Sequence, residues 1–173
     1  MSVSASNKDQ LRQQARALLA RQNITAPPVP IERIAKAMDV AIRYAPLEEE
    51  LSGMAFIKDG LRVIAVNALH HPNRQRFTIA HELAHHVLHA DVLTRGVHVD
   101  KIILKRGVLA AGGTDDIEVQ ANTFASELLI PEYLITSIVE HSVDLNDETR
   151  VLALARRFKV SVAALQFRLA ALE

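Results

Sequence analysis

Apolar residues recur every three or four positions along much of this chain, which is the spacing of amphipathic helices. The first apolar stripe consists of Leu11, Ala15, Leu18 and Leu19. We expect its helix to end before the proline-rich segment at 26–30, because proline interrupts helical hydrogen bonding. Two further helical stretches run over about 74–89 and up to Ile130, and the segment at 145–173 predicts a pair of helices. The chain is therefore predicted to be mainly helical.

Between the first helix and the helix at 74–89, apolar and polar residues alternate as they do in half-buried strands. The alternation predicts three strands, near 40–45, 52–58 and 61–66. Asp59-Gly60 separates the last two strands and is a strong signal for a two-residue hairpin turn. Residues 91–114 show no clear period, so we expect a long loop or flap there. The predicted fold class is α+β, mainly helical, with a small three-stranded sheet that is antiparallel or mixed.

The composition narrows the class of protein. At 173 residues the chain suits a single domain, and its twenty basic and twenty acidic side chains cancel. A neutral balance argues against a dedicated DNA or RNA surface. Cysteine is absent, which excludes thiol catalysis, disulfides and thiolate metal sites. No run resembles a signal peptide or a membrane span, so we expect a cytoplasmic protein.

Chemically distinctive residues concentrate in the sequence HELAHH, from His81 to His86. In a helix, His81 and His85 lie one turn apart, with Cβ atoms about 5–6 Å apart, so both imidazoles can reach one zinc ion. Glu82 points further round the helix, where it can take a proton from water at the metal instead of binding the metal. The alternative is that these histidines only bond to neighbouring side chains. The spacing favours two metal ligands and one general base from a single helical turn.

A catalytic zinc site takes three protein ligands and keeps an open position. The spacing that gives metzincins a third histidine is broken here, because Leu88 and Asp91 stand at its glycine and histidine positions. His89 lies on the polar side of the helix but a full turn beyond His85. The remaining route to a third ligand is a carboxylate from another helix.

Glu118 is the best candidate for that carboxylate. It borders an apolar helical face made by Ile117, Ala121, Phe124, Ala125, Leu128 and Leu129. By spacing alone, Glu118 could equally close a capping box with Asp115. A charged group beside such an apolar face gains more from a metal than from a cap, and Asn122 could then orient a ligand imidazole. Two imidazoles and a carboxylate would accept several divalent metals besides zinc.

Two blocks of this sequence, RFTIAHELAHHVLH and EVQANTFASELLIP, resemble the ImmA/IrrE family of zinc metallopeptidases. The resemblance covers roughly 30–135. It implies a zincin-like, more specifically gluzincin-like, site for one Zn²⁺ ion, with His81, His85 and Glu118 as ligands and Glu82 as base. Members of this family cleave or inactivate DNA-binding repressors and antitoxin-like regulators.

We therefore expect a single metallopeptidase-like domain at 1–173, with an N-terminal helix at 1–25, a zinc peptidase core at 30–135 and a C-terminal helical pair at 145–173. Ala84 stands where many family members have glycine, which is a conservative change. Many members also carry an N-terminal helix-turn-helix domain, whereas one helix precedes the proline-rich segment here. A regulator on which this protein acts should therefore be a separate chain.

The main hypothesis is a zinc-dependent endopeptidase whose partner is a protein, with no strong nucleic-acid surface and no membrane contact. Tyr133, His98 and His141 are the candidates for stabilising the oxyanion of the reaction. The substrate would lie extended along an exposed strand of the sheet. A regulatory module that keeps the zinc but only docks its partner is the alternative.

A third hypothesis is DNA binding by the C-terminal pair, which has helix-turn-helix spacing. Arg156, Arg157 and Lys159 lie near its turn. One short basic cluster on a neutral protein is weak support, so we favour a pair of helices that packs against the domain.

Overall fold

The computed structural model describes residues 5–101, 114–139 and 147–172. Its elements, in chain order, are α1 (Ala5–Arg21), α2 (Ile31–Ala37), β1 (Val40–Ala45), β2 (Leu51–Lys58), β3 (Leu61–Asn67), α3 (Pro72–Leu88), α4 (Ala90–Arg95), β4 (His98–Lys101), α5 (Thr114–Leu129), α6 (Glu132–Ile138), α7 (Glu148–Phe158) and α8 (Val162–Ala170). The predicted α+β class, mainly helical with one small mixed sheet, is confirmed.

The sheet has the strand order β1-β3-β2-β4. β1 pairs in parallel with β3, whereas β2 pairs antiparallel with both β3 and β4. At the turn between β2 and β3, Asp59 and Gly60 both have positive φ, 52° and 78°. Two successive positive φ angles define the turn that the Asp-Gly pair predicts, because their twist matches that of the flanking strands.

The fourth strand and α4 lie in the segment at 91–114, which the sequence predicted to be a loop. α4 has six residues and β4 has four, too few to establish a hydrophobic period. β4 pairs with β2, with Val99 opposite Met54, and a register shift separates Leu51 from Gly53 on β2. The prediction of an unstructured 91–114 segment is therefore wrong for 91–101, while 102–113 lie outside the described residues.

Helix α3 lies between the sheet and α5 and contacts both. Its residues Ile79, Ala80, Leu83 and Ala84 are fully buried. The predicted apolar face of α5 packs toward it, with Ala121, Phe124, Ala125, Leu128 and Leu129 all buried. α1 covers α5 from the other side through its predicted stripe of Leu11, Ala15, Leu18 and Leu19. Because α3 is covered on several sides, its polar stripe is buried along with its apolar residues.

Gly53 allows β2 to approach α3 closely. A Cβ atom at this position would lie 2.5 Å from Cγ2 of Thr78 on α3 and 2.7 Å from the backbone oxygen of Ala65 on β3. Both distances are shorter than real Cβ contacts. The absence of a side chain therefore sets how near the sheet lies to the helix that carries the HELAHH sequence.

The C-terminal helices form the pair that the sequence predicted. α7 ends at Phe158, and the next residue, Lys159, adopts the left-handed conformation (φ 54°, ψ 52°). Ser161 caps α8 by accepting a hydrogen bond from the Ala164 amide at 3.1 Å. Both helices bury an apolar face in the main core, made by Val151, Leu154, Ala155, Phe158, Leu165 and Leu169. This burial agrees with the packing role. No helix among the described residues has the length and apolar character needed to cross a membrane.

A buried ionic network joins four helices. The Glu127 side chain on α5 has no exposed surface, and its carboxylate accepts hydrogen bonds from Arg168 on α8 and from Nε of Arg16 on α1, the latter at 2.8 Å. The Glu132 amide at the start of α6 also donates to Glu127, at 3.3 Å, and Arg168 Nε donates to the Ile130 carbonyl at 3.1 Å. The network therefore fixes the first and last helices to the helix that carries Glu118.

Candidate metal centre

One helix supplies the centre of the candidate site. α3 begins with Pro72 in its first turn, and Nδ1 of His71 accepts a hydrogen bond from the Asn73 amide at 3.1 Å. The helix then continues without a break through the HELAHH sequence. His81, Glu82 and His85 have no exposed surface. A buried polar stripe of this kind needs partners, because each unpaired buried polar group costs about 1–3 kcal/mol.

The partners come from α5 and β4. Nε2 of His81 lies 3.2 Å from Nε2 of His85 and 3.2 Å from Oε2 of Glu118. Nε2 of His85 lies 3.3 Å from Oε1 of Glu118. A tetrahedral zinc ion with ligand bonds of about 2.0–2.1 Å separates its ligand atoms by about 3.3–3.4 Å. The three side chains are therefore spaced as the ligands of one such ion would be.

Hydrogen bonds behind the two imidazoles orient them for a metal. Nδ1 of His81 donates to Oδ1 of Asn122 at 3.0 Å. Nδ1 of His85 lies 3.1 Å from Nδ1 of His89, and Nε2 of His89 lies 3.1 Å from Oε1 of Gln120. Bonds at Nδ1 leave the lone pair of each Nε2 for a ligand bond. The donor set and its supporting bonds thus fit a divalent metal ion.

His98 on β4 bridges the two carboxylates of the site. Its Nδ1 lies 3.0 Å from Oε2 of Glu82, and its Nε2 lies 2.8 Å from Oε1 of Glu118. The ligand atoms of His81, His85, His98 and Glu118 all lie within 4.8 Å of one another, so His98 is a fourth possible ligand by distance alone.

Ring geometry argues against His98 as a ligand beside His85. Two imidazoles on one tetrahedral ion have ring centroids about 5 Å apart. The His81 and His85 centroids are 4.8 Å apart, which fits, but His98 stacks on His85 at 3.7 Å. His98 is therefore placed as a hydrogen-bond donor to the two carboxylates.

Glu82 has one bonded and one free carboxylate oxygen. Oε2 accepts from His98, while no donor among the described residues reaches the buried Oε1. Asp100, two residues along β4 from His98, is also buried, and its carboxylate approaches His81 and Glu82 closely enough to form a second potential ligand group with them. The buried Oε1 is free to accept a proton from a molecule that enters the site.

The charges of the site follow from burial and these bonds. Burial alone would raise the pKa of Glu118, but the imidazoles of His81, His85 and His98 around its carboxylate outweigh burial and hold the pKa well below its usual value. Burial lowers the pKa of His85 to about 4, so this imidazole is neutral at pH 7, as a metal ligand must be. Burial also opposes the charge on His98, yet its bonds to Glu118 and Glu82 raise its pKa to about 10. Burial raises the pKa of Glu82, which suits a group that takes up and releases a proton.

The structure brings together most of the side chains that the sequence singled out. His81, Glu82, His85, Glu118 and Asn122 meet in one cluster, and Glu118 faces the histidines, as a ligand would. Of the three oxyanion candidates, His98 lies inside the cluster. Tyr133 instead donates its hydroxyl to the Ile24 carbonyl at 2.7 Å, and His141 lies outside the described residues.

Sequence reasoning missed two contributors to the cluster, Gln120 and Asp100, and gave His89 a different role. His89 was considered as a ligand but lies behind His85, and Gln120 orients it. Asp100 carried no signal because its strand is too short to be predicted. His85 and His89 are four residues apart, as are His81 and His85. This repeated spacing is the sequence feature that indicates three imidazoles in a row along one side of the helix.

A buried helix that offers two histidines, with a carboxylate from a second helix, is the arrangement of a metallopeptidase-type protein. Residues 35–170 match the Peptidase M78 family, described as the IrrE N-terminal-like domain. The chain belongs to this family, which confirms the resemblance to the ImmA/IrrE metallopeptidases. The match extends beyond the 30–135 block and includes α7 and α8.

A solved structure shares the fold. A Mycobacterium tuberculosis transcriptional regulator is similar over 91% of this chain, with a TM-score of 0.62 and 18% sequence identity. This chain spans 45% of that regulator, so the likeness concerns the fold of less than half of the longer protein. No curated protein matches the chain at a significant level.

Proposed function

We propose that this protein is a zinc-dependent endopeptidase that cuts a protein partner. The observation that carries the proposal is the triangle of His81, His85 and Glu118, with ligand atoms 3.2–3.3 Å apart and the carboxylate of Glu82 beside it. Membership of the Peptidase M78 family supports the same class of reaction. Zinc is the metal that best suits two imidazoles and one carboxylate with an open fourth position.

In the proposed reaction, His81, His85 and Glu118 would hold the metal, and Glu82 would transfer the proton. When bound, a zinc ion supplies Lewis acidity, which polarises a carbonyl and makes water more acidic. Glu82 takes the proton of the attacking water on its free Oε1 and passes it to the leaving amine. Burial raises the pKa of this carboxyl and so makes Glu82 a stronger base, which favours its uptake of the proton from water.

His98 is the group we propose for stabilising the oxyanion. Its Nε2 now donates to Glu118, 2.8 Å away, and its Nδ1 holds Glu82 in place. Once Glu118 is engaged as a metal ligand, the Nε2–H group is a donor beside the reacting carbonyl. His98 would therefore both position the base and bind developing negative charge.

β4 is the strand along which we propose that the substrate lies. Among the described strands it is an outer one, as is β1, and its residue His98 contacts Glu118 of the candidate metal centre. A peptide that adds to a sheet edge gains backbone hydrogen bonds without a sequence requirement. The target we propose is a DNA-binding regulator on a separate chain, as the family resemblance implies. Nothing in the fold or the comparisons supports an antitoxin in particular.

Metal content and one isosteric substitution test the proposal. Purified wild-type protein and Glu82→Gln should each hold about one zinc ion per chain by elemental analysis, while His81→Ala should hold little. New protein N-termini, labelled by their amines, should appear in cells that express the wild type. They should be missing with Glu82→Gln, which keeps the metal but loses the base.

The alternative is a zinc-containing module that inactivates its partner by docking. The same cluster of metal-binding side chains supports this alternative, since a protein can bind a metal without catalysing a reaction. If Glu82→Gln retains zinc and relieves the partner's activity as fully as the wild type does, docking is the function and the endopeptidase proposal is wrong.

A further inference from the structure

An open apolar groove runs beside the metal centre. Two adjoining cavities, of about 830 and 330 Å³, lie between the first half of α3, the α5 helix and the α7–α8 pair. They share Phe77, Val160 and Ala164 as lining residues. None of the four possible metal ligands lines either cavity. We call this combined surface the α3–α8 groove, and it is separate from the place where a bond would be cut.

The groove exposes large apolar side chains. Leu152, Val162 and Phe167 all line it, and they are 40%, 36% and 75% exposed. Apolar clusters of this kind on a protein surface mark interaction sites, because leaving them in water is unfavourable. Because Phe167 is so exposed, the groove is an open surface. A pocket for a small molecule would be more enclosed, since such pockets bury most of the ligand.

The charge of the groove selects among partners. Arg74 and Arg156 line the wider cavity, and Asp and Glu are absent from the described lining of both cavities. Arg156 is exposed and forms no ion pair with a described residue. Arg157 and Lys159 are exposed nearby on the same turn of the chain. An occupant with negative charge would complement this rim.

The groove reaches the residues behind the metal ligands. The Phe77 ring is stacked near that of His81, with centroids 6.3 Å apart. Asn122, which lines the narrower cavity, bonds Nδ1 of His81 at 3.0 Å. A segment bound in the groove would therefore lie next to the site while leaving the cluster itself accessible.

We propose that the α3–α8 groove docks a segment of the protein substrate in which large apolar side chains alternate with Asp or Glu. The occupant is a second segment of the same polypeptide that is cut, so this inference rests on the proposed function. A nucleic acid would also be drawn to the arginines, but surfaces for DNA are polar and strongly basic. Most of the residues that line this groove are apolar, among them Phe77, Leu129 and Val160, which favours a peptide.

Binding of synthetic peptides tests this proposal without turnover. The probes are a fluorescent peptide of sequence DELFELLDE and its counterpart KKLFKLLKK, and binding is followed by anisotropy on the full-length, zinc-loaded Glu82→Gln protein. The acidic peptide should bind at least about tenfold more tightly than the lysine peptide, and added salt should weaken it.

Two groove variants and two matched controls locate the binding. Phe167→Ser and Arg156→Glu should each weaken the acidic peptide by about fivefold or more. The controls, Leu61→Ser and Arg95→Glu, change an exposed apolar residue and an exposed arginine away from the groove, at 69% and 82% exposure, and should leave binding unchanged. Circular dichroism of each variant should match that of the parent protein, since all four positions are at the surface.

Other outcomes overturn the proposal. Equal binding of the two peptides, absence of binding, or identical behaviour of groove and control variants would each exclude it. Binding of a duplex DNA probe that Arg156→Glu abolishes would make the groove a nucleic-acid surface. A dimer that Phe167→Ser dissociates in sedimentation would make it a contact between two copies. Peptide binding with no cleavage dependent on Glu82 would overturn the proposed function and leave the docking result standing.

Discussion

The two imidazoles of the HELAHH sequence differ in what holds them. His81 is held by an amide, that of Asn122, whereas His85 is held by a second imidazole, His89, which Gln120 holds in turn. In both cases the bond is at Nδ1, so the tautomer that leaves Nε2 free for a metal is favoured before any metal binds. The cluster is thus preorganised at the level of single hydrogen bonds.

Removing these supporting bonds should weaken metal binding without removing a ligand. We expect Asn122→Ala and His89→Ala each to lower zinc affinity by about 10–100-fold, because the ligand imidazole loses its orienting partner. Competition with a chromophoric chelator measures the affinity. Thr123→Ala is the matched control, since the hydroxyl of Thr123 donates to the Val119 carbonyl of its own helix and to no other described residue. Unchanged affinity in Asn122→Ala would show that the bond to His81 does not support the site.

The sequence predicts the residues that depend on local spacing. His81, Glu82 and His85 lie within one helical turn, so their juxtaposition follows from the helix alone. The role of Glu118 does not follow from spacing. It was predicted because a charged side chain at the margin of an apolar helical face gains more from a metal than from a helix cap. The positions of His98 and Asp100 depend on how a four-residue strand pairs with β2, and no periodic pattern records that pairing.

At the scale of elements, β2 approaches α3 closely at Gly53. Long periodic segments were predicted to within a few residues, because the spacing of their apolar residues alone indicates the element and the face that it buries. The distance between two elements does not follow from that spacing. Here the distance between β2 and α3 depends on the absence of a side chain at Gly53, and this absence can be interpreted only when Thr78 and Ala65 are known to lie opposite.

Gly53→Ala should therefore lower the free energy of unfolding by about 1–3 kcal/mol, the usual range for overpacking, as measured by urea denaturation. Part of the loss should return in Gly53→Ala, Thr78→Ser, because the serine lacks the Cγ2 atom 2.5 Å away, while the Ala65 oxygen still crowds the new methyl. Gly96→Ala is the control: its backbone is extended (φ −176°), and a Cβ atom there meets nothing within 4 Å. A Gly53→Ala protein as stable as the wild type would mean that β2 moves freely relative to α3.

For the whole molecule, the Glu127 network decides how the ends of the chain are held. α1 and α8 lie at opposite ends of the described chain, yet Arg16 and Arg168 bind the same buried carboxylate. Glu127 is on the same helix as Glu118, so the network also fixes the helix that supplies the carboxylate of the candidate metal centre. Sequence patterns did not predict this network, because its members belong to separate helices.

Arg168→Met should be strongly destabilising, since it leaves the carboxylate of Glu127 buried with Arg16 as its remaining guanidinium. We expect the free energy of unfolding to fall by about 3 kcal/mol, at the lower end of the range for breaking a buried pair. Arg168→Met, Glu127→Met should recover most of that loss in urea denaturation, because the buried carboxylate that lost its partner is removed as well. The exposed pair of Arg95 and Asp91, 3.9 Å apart, provides the control, and Arg95→Met should cost about 1 kcal/mol or less. If the double variant is no more stable than Arg168→Met, the arginine acts through its packing and its bond to the Ile130 carbonyl, and the charge of Glu127 is not what holds the last helix in place.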